Sequence, residues 1–272
     1  MIVQQPENGS RAFVVSLDEH QGLAGQLAAR FGNEHFESLT PCDPMLFAIA
    51  HHDAGWDEID RSPPGDPATS LPCSLGGNPR ELLLAAASRS VDFNERHHPF
   101  CGLLVSMHQV GLYNGRFGLK SAQPMGEIPV HERPQVDAFL SREATRQTRL
   151  RDLLRTDPVF RDFIEERALF FNYFRLQFFD RLALYLNRTS TGNLRPAIID
   201  HVPTTIERQI DVEIVPLEDG LALDMYPFCE DEIVVAYRGR SVAPEVGVAN
   251  WSERLAMVPL QERRFCLRRK IR

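Results

Sequence analysis

Residues Ala168 to Leu186 read ALFFNYFRLQFFDRLALYL, and how this stretch is understood decides the fold. It is long enough to cross a bilayer as a helix. Asn172, Arg175, Gln177, Asp180 and Arg181 interrupt it, however, and hydrocarbon would penalise those groups by several kcal/mol together. The stretch is therefore expected to be a buried helix at the centre of a helical domain, not a membrane span. Asp180 then sits among Leu176, Phe179, Ala183 and Leu184, where an unpaired carboxylate would be expelled or neutralised unless something compensates it.

Helices are expected on the amino-terminal side of this segment. Ser16-Leu17-Asp18-Glu19 has capping-box spacing, and Leu23, Leu27 and Phe31 continue at helical intervals until Gly32, which predicts a helix over 17–31. Asp43-Pro44 is read as the cap and first turn of a second helix that carries His51-His52-Asp53 at its carboxyl-terminal part. Two further helices are expected over 81–91 and 100–113, a charged one over 135–155, and a long one over 158–187. Between them, residues 61–79 and 114–134 are rich in Pro and Gly and are read as long surface loops.

The character changes after a break at 189–203. Val212/Ile214, Leu221/Leu223/Met225, Ile233/Val235/Tyr237 and Phe265/Leu267 alternate at period two, while Asn250-Trp251-Ser252-Glu253 has the spacing to start a short helix. At the other end, Ile2–Val3 and Ala12–Val15 flank a turn-rich PENGS and predict a small hairpin. The expected fold is thus mainly α: a helical bundle over 1–190 with a short amino-terminal β hairpin, and a small β-rich carboxyl-terminal extension over 191–272 packed on it.

Composition narrows the function classes. Of 272 residues, 43% are apolar and a quarter charged, which excludes collagen-like and disordered chains. A net charge of −7 supplies no basic field for a nucleic-acid backbone, so nucleic acid is not expected as a partner, and neither is a membrane. The start, Met1 to Glu7, lacks the basic and apolar runs of a signal peptide, so a cytoplasmic location is expected. Five scattered cysteines form no C-x-x-C pair, which leaves nitrogen and oxygen as the ligands of any metal; nine histidines make a metal worth testing.

His20, His52 with Asp53, His108 and Asp180 each place an imidazole or carboxylate inside an apolar helical stretch, where a lone polar group costs about 1–3 kcal/mol. One arrangement satisfies them together: a divalent metal inside the bundle, held by two or three neutral imidazoles and two carboxylates from separate helices. Taken singly, each residue has a plainer reading. His108 could be a satisfied core histidine, and Asp180-Arg181 a helix-surface ion pair. Trp56 either walls a pocket beneath the 61–79 loop or seals the end of the bundle. His51 caps the site, supports a ligand by a hydrogen bond, or faces another helix. Arg89, Arg96, Arg175 and Arg181 are candidate phosphate clamps against a default of solvated guanidinium groups.

The segments EHQGLA (His20), AIAHHDAGW (His52, Asp53) and QFFDRLAL (Asp180), in this order, resemble the HD-domain superfamily of metal-dependent phosphohydrolases. Across nearly its whole length the chain also resembles a functionally unassigned bacterial branch of HD-like proteins that show HDxGW and SMH segments. The resemblance implies that His20, His52, Asp53 and Asp180 are the four metal ligands and that His108 is an extra histidine of the kind found in two-metal relatives. It also implies that Asp57, four residues after Asp53, lies near the attacking water. The two-metal members carry two extra histidines far apart in sequence, whereas His97 and His98 lie only ten or eleven residues ahead of His108 in a polar segment. One metal is therefore expected rather than two.

The expected function is hydrolysis of a small phosphate ester or nucleotide by a water that the metal activates, with Mn, Fe, Co, Ni or Zn as the cofactor and Asp57 and Asp53 acting on the water. Two alternatives stay open: a di-iron, oxygen-using HD-like enzyme, which would enlist His98, and a non-catalytic metal-containing protein that senses a ligand. Oligomer formation is left open.

Overall fold

The computed structural model describes residues 1–4, 11–118, 126–189, 193–218, 220–248 and 250–270. The chain begins with two short strands, β1 (Ile2–Gln4) and β2 (Ala12–Val15), paired antiparallel. The PENGS turn expected between them falls at 6–10, outside the described residues. Ser16 then caps α1 (Leu17–Ala28) by accepting a hydrogen bond from the Glu19 amide at 3.3 Å. Glu19 does not reach back to complete the box, because its carboxylate accepts from the backbone amide and the guanidinium of Arg238.

Next comes α2 (Cys42–Ala50), which starts after Pro41 with no side-chain cap and ends before the HHD triplet. His51 already has φ −135° and Asp53 φ −114°, so His51, His52 and Asp53 lie beyond the helix and not on its last turn as expected. A 3-10 turn at Ala54–Trp56 leads into α3 (Asp57–Arg61). Within the following loop, β3 (Gly65–Asp66) and β4 (Leu71–Pro72) form a two-residue pair. Then come α4 (Arg80–His97), α5 (Pro99–Gly111) and a four-residue turn, α6 (Gly115–Gly118), in which Arg116 and Phe117 are left-handed. Residues 119–125 of the second expected loop lie outside the described residues. Two long helices follow, α7 (Arg133–Arg155) and α8 (Glu166–Arg188), with a 3-10 turn at Arg161–Ile164 where the last helix was expected to begin.

The carboxyl-terminal strands are β5 (Ala197–Thr205), β6 (Arg208–Leu217), β7 (Gly220–Leu223), β8 (Glu232–Val242) and β9 (Gln261–Arg269), with α9 (Trp251–Ala256) before the last. They do not form a small extension on a helical bundle. They join the amino-terminal hairpin in one curled, seven-stranded sheet of order β1-β2-β8-β9-β7-β6-β5, and about half of the chain is helical. The expectation of a mainly α bundle with a free hairpin is therefore wrong. Local periodicity marks every strand of this sheet except β5, but it cannot show that Ala12–Val14 pairs with Arg240–Val242 more than two hundred residues away. Neighbouring strands are antiparallel except β7 and β9, which run parallel.

The expected break at 189–203 hides β5. β5 contains Pro203, and it is an edge strand with register shifts on either side of Val202–Pro203, the setting in which a sheet tolerates proline. His201 takes a positive φ of 56° at the first of these shifts.

One large hydrophobic core joins helices and sheet, with Leu103, Val105, Leu176, Phe179 and Leu182 from α5 and α8 against Ile199, Ile214, Val235 and Phe265 from the strands. Helix α8 packs against α1, α2 and α5 and also against β1 and β5. The sheet thereby holds the carboxyl-terminal end of α8. The Tyr237 hydroxyl donates to the Leu186 carbonyl at 2.9 Å, and the Gln4 amide donates to the Asn187 carbonyl. Among the described residues, no helix is long and apolar enough to cross a membrane, in line with the reading of 168–186 as a core helix.

Candidate metal centre

On α8, Gln177, Asp180, Leu184 and Asn187 recur at intervals of three and four, so they form one stripe along the helix. That stripe faces α1 and α5. Two glycines let the other candidate ligands approach. A Cβ on Gly25 would lie 2.9 Å from the Ala50 Cβ, so glycine permits α1, which carries His20, to touch the end of α2 that leads into His52. A Cβ on Gly55 would lie 2.0 Å from the Ala86 carbonyl oxygen; its absence seats the HHDAGW turn against α4. There the Gly55 amide donates to Ser90 Oγ at 2.9 Å, and Asn94 donates to the His51 carbonyl at 2.8 Å.

His20, His52, Asp53, His108 and Asp180 come together. His20 Nε2 is 3.3 Å and His52 Nε2 3.8 Å from the same Asp180 oxygen, and His52 Nε2 is 3.6 Å from an oxygen of Asp53. Ligands about 2.1 Å from one cation lie roughly 3–3.5 Å apart, so this spacing suits a shared ion. His20, His52 and Asp180 form one group of mutually close ligand atoms, and His52, Asp53 and His108 form another. Both Nε2 atoms are buried and make no hydrogen bond.

Hydrogen bonds aim the rings. His52 Nδ1 lies 2.8 Å from the Ile49 carbonyl oxygen, which can only accept; the neutral ring therefore carries its proton on Nδ1 and leaves Nε2 bare. His20 Nδ1 donates likewise to the Asn187 side-chain oxygen at 2.9 Å. Gln177 Nε2 lies 2.7 Å from His108 Nδ1, and a half-turn of this amide would exchange donor and acceptor. Gln109 donates to the His52 carbonyl at 3.2 Å and to Asp53 Oδ1 at 3.3 Å, and the Asp53 amide donates to Gln21 at 3.1 Å.

The charges follow from burial and proximity. Burial alone would raise the pKa of Asp180, but the closeness of His20 and the other imidazoles overcomes it and holds the carboxyl well below its ordinary range. Burial lowers His20 too, and there the Asp180 carboxylate more than reverses the effect, leaving a raised pKa. His108 is pushed down to about 4, chiefly by burial, and is neutral and able to ligate at pH 7.

A cavity of about 320 Å³ opens beside these groups, lined by His20, Asp53, His108 and Asp180, with Trp56, Leu75, Leu83, Leu112 and Leu184 as apolar wall. His52 lies behind them, fully buried. The 61–79 loop contributes Leu75 and Gly76, and Arg116 and Arg188 add guanidinium groups.

Other expected residues lie elsewhere. Asp57 is exposed on α3 and does not line the cavity, because the chain leaves α2 before the HHD triplet and the four-residue spacing from Asp53 is not helical. His98 caps α5 by accepting from the Phe100 amide at 3.1 Å, with its ring 4.3 Å from Phe160. His51 packs on Phe47 with ring centres 4.4 Å apart. None of the four clamp arginines lines this cavity. Arg175 donates to the Glu37 carbonyl, Arg181 pairs with Asp200, Arg89 pairs with Glu58, and Arg96 lies over Phe93.

Sequence reasoning missed Asn187, Gln177, Gln109, Gln21 and Arg116. The four amides carry the same signal as the candidate ligands, a polar side chain on an apolar helical face. Arg116 carries none, sitting in a non-repeating GRFG turn.

A family model matches residues 1–244, and its description is "Protein of unknown function (DUF3891)". No curated protein and no solved structure matches the chain.

Proposed function

Because the chain belongs to that family, whose description names no activity, its own site must carry the reading, and we propose a metal-dependent hydrolase of a phosphate ester or nucleotide. The observation that supports it best is the convergence of His20 Nε2 and His52 Nε2, neither of them hydrogen-bonded among the described residues, on one Asp180 oxygen, with an Asp53 oxygen also 3.6 Å from His52 Nε2. Buried polar atoms without partners are costly, and a cation removes the cost. The donor set, three imidazoles and two carboxylates, fits Mn, Fe, Co, Ni or Zn and lacks the thiolates that softer ions favour.

One ion is favoured over two. Both ligand groups contain His52, whose Nδ1 is committed to Ile49, so a single nitrogen is left to share. His98, which a second iron would need, is occupied as the cap of α5. His20, His52, Asp53, His108 and Asp180 would hold the ion. When bound, it would acidify a water and polarise a phosphoryl oxygen.

Chain groups account for the rest. Asp53 lines the cavity, with Oδ2 facing His52 and Oδ1 accepting from Gln109; Oδ2 would bind the ion and Oδ1 would take the proton of the attacking water. The water oxygen bonds to phosphorus, the ester P–O bond breaks, and the proton passes on to the leaving oxygen. Trp56 and the leucine wall exclude bulk water. The test is elemental analysis of protein purified without chelator, followed by assays of small phosphoesters and nucleotides with Mn²⁺, Co²⁺, Fe²⁺ and Mg²⁺. About one metal per chain and metal-dependent turnover are expected; protein that neither contains nor takes up metal overturns the reading.

A further inference from the structure

Arg116 is the most unusual residue of the cavity. It has φ 55° and ψ 51°, and Phe117 follows at φ 59° and ψ 39°, a left-handed pair in which neither residue is glycine. Such backbone persists only when its surroundings hold it. Here the Asn114 side chain accepts from the Phe117 amide at 2.9 Å, and the Phe117 ring stands edge-on to Phe170 and Tyr173. The held turn delivers a guanidinium whose side chain is 11% exposed. Its NH2 lies 3.7 Å from Asp180 Oδ2, near enough for attraction but too far for a hydrogen bond, and its buried Nε has no partner. Among the described residues, no hydrogen bond uses any of its donors.

We propose that Arg116 recognises the oxyanion of the substrate, and that the cavity takes a small phosphate monoester with an apolar body. The proposal rests on the hydrolase reading above and adds its recognition residue and substrate class. Three observations carry it. A buried guanidinium with idle donors lacks acceptor oxygens, and a phosphoryl group supplies them in the matching fork. Asp53 and Asp180 together carry two negative charges; a divalent ion and Arg116 exceed them by one positive charge, and exposed Arg188 adds another at the rim, so the filled site attracts an anion. Finally, about 320 Å³ lies at the small end of ligand pockets, and Trp56, Leu75, Leu83, Leu112 and Leu184 offer the body of the ligand an apolar wall.

The experiment is calorimetric titration of the purified, metal-containing protein with inorganic phosphate, repeated on Arg116→Gln and Arg116→Lys, with metal content measured for each. Arg116→Gln is expected to weaken phosphate at least tenfold with metal content unchanged. Arg116→Lys, which keeps the charge but not the fork, is expected to weaken it three- to tenfold and guards against a glutamine variant that does not fold. Phenyl phosphate is expected to compete more strongly than adenosine monophosphate, whose body is larger and more polar. Phosphate affinity unaltered in both variants overturns the role of Arg116, and preference for the nucleotide overturns the apolar-bodied monoester. Either result leaves the metal content standing, whereas a protein without metal would remove the hydrolase reading itself.

Discussion

His20 Nδ1 lies 2.9 Å from the side-chain oxygen of Asn187, which stands two turns beyond Asp180 on α8. One helix therefore supplies both a candidate ligand and the group that orients another. Losing such a support typically costs ten- to a hundredfold in metal affinity. Asn187→Ala is expected to weaken Zn²⁺ or Mn²⁺ binding by about that factor while the fold persists, as read by metal titration with circular dichroism as the control. Unchanged affinity would show that His20 is not a ligand.

His52→Ala and Asp180→Ala should each abolish stoichiometric metal, because both residues lie where the ligand groups converge. His98→Ala should retain the metal. It should instead cost about 1 kcal/mol of stability, since its Nδ1 caps the first turn of α5. Elemental analysis and chemical denaturation separate the two outcomes.

Acid should destabilise the metal-free protein through His108. Its folded pKa is depressed to about 4 against an ordinary 6.5, so below pH 6.5 the unfolded chain binds a proton that the folded chain refuses. Stability is then lost as pH falls from about 6.5 to 4, by up to roughly 3 kcal/mol. His20 works the other way: its raised pKa adds stability below its ordinary value that is lost as pH rises through the folded value. Denaturation of chelated protein across this range, compared with His108→Gln, isolates the first effect; equal slopes in the two proteins would refute it.

Bound metal should stabilise the fold by mass action, by about 2.7 kcal/mol at a free concentration one hundred times Kd. Affinity should fall below about pH 6.5 as protons compete for the imidazoles. Thermal melts with and without chelator at pH 7.5 and pH 5.5 measure both. A melting temperature indifferent to chelator would contradict the centre.

Gly55→Ala tests whether the approach of the HHDAGW turn to α4 matters. The added methyl would meet the Ala86 carbonyl at 2.0 Å and the Ser90 amide nitrogen at 2.5 Å, both backbone atoms. A loss of at least about 1–3 kcal/mol and weakened metal binding are expected, because the turn that carries Asp53 must move. Denaturation and metal titration of the same sample read both.

Much of the site was legible because polar groups inside apolar periodic stretches stand out one residue at a time: His20, His108 and Asp180 each break a hydrophobic stripe. Asp57 follows from the resemblance alone, and the 3-10 turn after Asp53 carries it to an exposed place on α3. Arg116 was illegible for a related reason, since its place in the cavity depends on a left-handed turn that no periodicity encodes.

Most helices, the alternating strands other than β5, and the residues too polar for their surroundings are written in the sequence, because each depends on neighbours within a few positions. Only the tertiary structure decided that the hairpin and the carboxyl-terminal strands form one sheet, and that β1 and β8 hold the end of α8 through Gln4 and Tyr237. Pairing across more than two hundred residues is settled by which faces can be buried together, and that is a property of the whole packed chain.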